Sequence, residues 1–143
     1  MFKNVLLAVD LNHDASWRKA LPVALGLCQQ HGAALHVVTA IPDLHMPMIA
    51  SHFPEGFMRR LIESTEHKLA AFVREHVPDD VPCDDTVVSG GAIYETLLNY
   101  ADEHAVDLIV LEAYRPDLKD YLLGSNAEKV ARHAKQSVLV VRE

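Results

Sequence analysis

The sequence predicts an α/β domain, a twisted parallel sheet with helices on both faces. Largely apolar runs at Val5 to Val9 (VLLAV), Ala34 to Thr39 (ALHVVT), Leu108 to Leu111 (LIVL) and Ser137 to Val141 (SVLVV) have the length and continuity of buried strands. Segments with helical apolar spacing lie between them. With a short third strand at Thr86 to Val88, the order reads β-α-β-α-β-α-β-α-β, which right-handed crossovers turn into a parallel sheet.

Each element has its own local signal. The first strand is closed by Asp10. Ala20, Val23, Ala24, Leu27 and Cys28 give the helical face of Ser16 to His31, which Gly32 stops. Pro22 within that span predicts a late start or a bend. Ile41 to Gly56, with Pro42, Pro47 and Pro54, reads as a long loop, and loops of that length are often functional. Phe57, Leu61, Ile62, Leu69, Phe72 and Val73 mark a helix reaching about His76. Pro78 to Pro82 forms a turn, and Gly90-Gly91 opens a helix whose face is Ile93, Leu97, Leu98 and Ala101. Ala127, Val130, Ala131 and Ala134 mark the last helix, from about Ser125.

Bulk properties narrow the function. The chain has 143 residues, enough for one domain, and half of them are apolar. A formal charge of -7 argues against nucleic acid and against an anionic membrane surface, because both are bound through lysine and arginine. No apolar run approaches the roughly 20 residues that span a bilayer. Met1 to Asn4 lead straight into a strand, which leaves no room for a signal peptide. Cys28 and Cys83, each alone in its segment, suit a reducing compartment, so the expected location is the cytoplasm.

In sheets of this kind ligands bind beyond the carboxyl ends of the strands, where the strand order reverses. A reversal between the first and fourth strands would place Asp10 and Glu112 on the floor of that crevice. The segment Glu112 to Ala134 (EAYRPDLKDYLLGSNAEKVARHA) leaves a buried strand, crosses a loop and enters a helix through Gly124-Ser125-Asn126. The glycine and the free N–H groups of the helix start form a natural anion site. Ser125 to Glu128 also has the Ser-x-x-Glu form of a capping box, so Ser125 either caps the helix or meets a ligand. Asp10 likewise either caps the following loop or binds a ligand, and Glu112 with Arg115 either forms a surface ion pair or lines the crevice rim.

Other constellations carry less. His45, Met46, Met48 and His52 offer soft-metal ligand types, but no partner motif fixes a geometry. Neither a Gly-x-Ser-x-Gly elbow, a Walker A sequence nor a Gly-x-Gly-x-x-Gly fingerprint occurs. Trp17 reads as a packing residue.

Tyr121 to Ala127 (YLLGSNA), Val130 to Ala134 and Ser137 to Arg142 resemble the universal stress protein family over essentially the whole chain, residues 1–143, as a single domain. Arg115-Pro116-Asp117 followed by YLLGSNA looks most like the universal stress protein F-like subgroup. Val5 to Asp10 is similar to the family's first strand, and Ser89-Gly90-Gly91 to its glycine turn.

The resemblance implies a Rossmann-like three-layer sandwich with a five-stranded parallel sheet of order 3-2-1-4-5. It also implies a homodimer, paired through the strand at 137–142, and in many members an adenine-nucleotide site. The binding pattern, Gly-x-x-Gly, nine residues and Gly-Ser or Gly-Thr, falls here on Glu112 and Arg115, with eight residues before Gly124-Ser125. Carried over by position, Ala8, Val9, Asp10 and Ala40 lie near adenine and ribose, and Gly124, Ser125 and Asn126 near the phosphates. Glu112 and Arg115 take the two glycine positions. The expected function is a cytoplasmic stress-response sensor or regulator that binds ATP or another adenine nucleotide, with or without Mg2+, and acts on a protein partner the sequence does not identify. The alternative is a dimeric interaction module that has lost nucleotide binding. A slow nucleotide hydrolase, with Asp10 and Glu112 holding a metal, is a third class, for which the sequence supplies no general base.

Overall fold

The computed structural model describes residues 1–41, 55–113 and 126–142. Strands β1 (Asn4–Ala8), β2 (Ala34–Ala40), β3 (Cys83–Val88), β4 (Leu108–Glu112) and β5 (Ser137–Val141) form a parallel sheet of order β3-β2-β1-β4-β5. Between them lie helices α1 (Ala20–His31), α2 (Phe57–His76), α3 (Ile93–Glu103) and α4 (Asn126–His133).

Side chains alternate across a strand, so the central strands feed two cores. Val5, Leu7, Val37 and Val110 pack with Ala24 of α1 and with Leu69 and Phe72 of α2 on one face. Leu6, Ala8, Val38 and Ile109 pack with Leu97 and Ala101 of α3 and Val130 of α4 on the other. The result is three layers with the sheet in the middle. Trp17 does pack, edge-on against Phe72 with ring centroids 5.0 Å apart.

Helix α1 starts late, at Ala20, which puts Pro22 in the first turn, where its missing N–H needs no intrahelical partner. Gly32 ends it in the left-handed conformation at φ 66°, its N–H donating to the Cys28 carbonyl. Among the strands and the later helices, two starts differ from the sequence reading by more than one residue. Strand β3 begins at Cys83, three residues earlier than expected, because an edge strand tolerates polar residues such as Asp84 and Asp85 that a central strand would not. Helix α3 begins at Ile93, two residues beyond Gly91, with Gly90 forming the preceding bend at φ 96°.

Candidate functional site

The strand order reverses between β1 and β4, which leave the sheet side by side in opposite crossover directions. Ala8 ends β1 and Val9 follows it, both fully buried, and the Val9 N–H donates to the Val38 carbonyl at 3.0 Å. Ala40 ends β2 on the other side of β1. Glu112 ends β4, and Asn126 opens α4. Arg115, Gly124 and Ser125 lie outside the described residues, as do His45, Met46, Met48 and His52.

Asp10 is held by a compact network. Its backbone N–H donates to the Ser16 hydroxyl at 2.8 Å, and that hydroxyl donates to the Asp10 carbonyl at 3.0 Å. One carboxylate oxygen accepts the Asn12 N–H at 3.0 Å, and the other lies 3.1 Å from Nδ1 of His13. An aspartate bonding the backbone two residues on makes a local turn, so Asp10 does cap its loop. The same bonds fix its carboxylate just beyond the carboxyl end of β1. Sequence reading missed Ser16 and His13. Their signal was a short polar side chain and an imidazole within six residues of a strand-ending acid.

Glu112 is 1 % exposed, so its side chain is buried rather than on the surface. Asn126 is also buried, at the N-terminus of α4, where backbone N–H groups favour anions. The described crevice residues thus combine two buried acids with a buried helix start. Among the described residues, no group of three or more His, Cys, Asp or Glu is placed to hold a metal ion.

A second polar assembly lies under α3, where the sequence showed only an isolated histidine on β2. His36 is 6 % exposed, with Nδ1 2.8 Å from the Tyr100 hydroxyl and Nε2 3.1 Å from Oδ1 of Asn4. His104 stacks on Tyr100 with ring centroids 3.9 Å apart, and its Nδ1 is 2.9 Å from the Tyr100 carbonyl. Burial pushes the His36 pKa below its ordinary 6.5, against a raising pull from Asp84, and His104 lowers it further. Burial raises the Tyr100 hydroxyl, opposed by a hydrogen bond from Thr86. The arrangement suits a neutral His36 that donates from Nε2 to Asn4 and accepts at Nδ1 from Tyr100. It ties β1 and β2 to α3.

The fold defines an open α/β protein whose topological switch point lies between β1 and β4, the place where sheets of this kind bind ligands. Residues 1–142 match the universal stress protein family, and the chain belongs to that family. Universal stress protein G of Salmonella typhimurium is 31% identical over 144 residues, covering 99% of this chain and 100% of the relative. A universal stress protein solved in complex with cAMP is 25% identical, with a TM-score of 0.60 over 99% of this chain and 97% of that one. The universal stress protein of Archaeoglobus fulgidus solved in complex with dAMP is 18% identical, with a TM-score of 0.62 over 98% and 97% of the chains. The last shares the fold. No helix among the described residues is long and apolar enough to cross a membrane.

Proposed function

We propose that this chain binds ATP or another adenine nucleotide in the crevice between β1 and β4 and acts as a homodimeric regulator of the stress response in the cytoplasm. What supports the reading is that Asp10 and Glu112 are buried at the carboxyl ends of the adjacent strands β1 and β4, where the sheet of a family member switches order, and that α4 starts from a buried Asn126. A relative of the same fold was solved with cAMP, which is an adenine nucleotide. Ala8, Val9 and Ala40 would supply the walls around adenine and ribose. Asp10 would accept hydrogen bonds from the nucleoside, and Gly124, Ser125 and Asn126 would donate to phosphate. Arg115 would replace the lost glycine N–H contacts with a charge-assisted fork.

Dimerisation is proposed through β5. It is the second edge of the sheet, carries no charge, and exposes Leu139 at 36%. The Val141 carbonyl accepts the Ala113 N–H at 2.8 Å, so by strand alternation the backbone groups of Val138 and Val140 point away from β4. An uncharged edge of that kind pairs readily with a second copy about a two-fold axis.

Glu112 favours a second reading, an interaction module without nucleotide. It is a buried carboxylate at the position where binding members carry their first glycine, and it would repel a triphosphate unless a cation intervened. Mass spectrometry of acid-extracted protein, freshly purified, separates the two readings. Adenine nucleotide near one equivalent supports the first, and its absence together with failure to bind added nucleotide supports the second.

A further inference from the structure

We propose that the other edge of the sheet, β3 with the groove between it and α3, binds an extended lysine- or arginine-rich segment of a partner protein as an added strand. The groove has a volume of about 470 Å³ and is bounded by Thr86, the Ser89 to Gly91 turn, and Glu95, Asn99 and Glu103 of α3. Its lining includes none of Asp10, Glu112 and Asn126.

Among the described residues β3 pairs only with β2. The Pro82 and Val88 carbonyls accept from Leu35 and Ile41 at 2.8 Å, so the even-numbered residues of β3 direct their backbone groups to β2. Those of Cys83, Asp85 and Val87 therefore point to the open side. An extended peptide satisfies such groups by strand addition.

The charges name the occupant. Neither β3 nor α3 contains a lysine or arginine, and none lines the groove. Asp84 and Asp85 on β3 and Glu95 and Glu103 on α3 make the groove side of this edge negative. Lys135 pairs with Asp102 at 3.6 Å, and the arginines and lysine of α2, which packs on the opposite face of β3 with Cys83 and Val87, do not line the groove. Acidic residues on this edge disfavour pairing with the same edge of a second copy, and they attract a cationic strand. The spacing also agrees. Glu95 and Glu103 are eight residues apart on α3, about 12 Å along its axis. Cationic side chains at positions i and i+4 of an added strand are about 13 Å apart on one face.

The test is fluorescence anisotropy with labelled acetyl-Lys-Val-Lys-Val-Lys-Val-Lys-amide, using the full chain without nucleotide. Glu95→Gln/Glu103→Gln, at exposed positions that leave the fold intact by circular dichroism, should weaken binding by about fivefold or more. Two N-methylated peptides, blocked at alternate residues, should differ: one loses binding because its methyl groups face β3, and the other keeps it. Equal binding by both methylated peptides and their parent would overturn strand addition. Unchanged affinity in the double variant, or no binding by the wild type, would overturn the site. Spermidine binding as tightly as the peptide would overturn the peptide in favour of a small polycation.

Discussion

Tyr100→Phe tests the buried assembly on α3. The ring stays, and with it the stack on His104; only the hydroxyl 2.8 Å from His36 Nδ1 is lost. Because His36 is buried, water cannot replace that hydroxyl, and an unsatisfied buried polar group costs about 1–3 kcal/mol. For a domain of this size that corresponds to a fall in Tm of about 3–9 °C. Urea unfolding should show a lower midpoint at unchanged slope. A variant within about 0.3 kcal/mol of wild type would refute the role assigned to this bond. The pH arm has a definite sign. Burial holds the His36 pKa below 6.5, so the unfolded chain takes up its proton first as the pH drops. The stability from neutral His36 is fully present above about pH 6.5 and is lost as pH falls through the depressed folded value. His36→Gln keeps a donor and an acceptor without titrating. It should therefore lose less stability than wild type between pH 7 and pH 5, and parallel pH curves would count against the assignment.

Three further outcomes follow from the same geometry. Ser16→Ala removes both hydrogen bonds to the Asp10 backbone at a fully buried site, which should cost about 1–3 kcal/mol by urea unfolding and loosen the loop that bears Asp10. Val140→Pro removes an outward N–H and should shift the proposed dimer to monomer in light scattering; a wild type that is monomeric at micromolar concentration would refute pairing through β5. Burial pushes both thiols up to about 11, with Asp85 and Asp84 adding to the effect at Cys83, so alkylation of the folded protein at pH 8 should be slow and should accelerate on denaturation.

The central strands were the most legible part of the fold, because burial on both faces demands continuous apolar sequence. Val5 to Val9 and Leu108 to Leu111 therefore stand where expected, and β5 matches its predicted bounds. Edge strand β3 was read three residues short, since it needs only one well-covered face and Asp84 and Asp85 concealed its start. Asp10 and Glu112 were placed at the switch point on the condition that the order reverses between the first and fourth strands, an order that the family resemblance implied and the sheet has. Their surroundings were not legible: the Ser16 clamp depends on a turn, and the His36–Tyr100 contact joins residues 64 apart in sequence. Tyr100 itself was absent from the expected face of α3, although it is buried there. The contribution of Arg115 and Gly124 to the crevice rests on their positions in the family pattern.

Calorimetric titration of the wild type and Glu112→Gln with ATP, AMP and adenosine, with and without Mg2+, tests the central claim most directly. Saturable binding of an adenine nucleotide at one site per chain is the predicted result for the wild type. Glu112→Gln should tighten ATP relative to adenosine when Mg2+ is absent, because in the proposed site it removes an acid from beside the phosphates. Arg115→Ala provides the opposite sign, weakening ATP by about 1.5–3 kcal/mol and adenosine far less. Equal ATP affinity in all three proteins would make Glu112 and Arg115 bystanders, and no binding of any adenine nucleotide by the wild type would contradict the account.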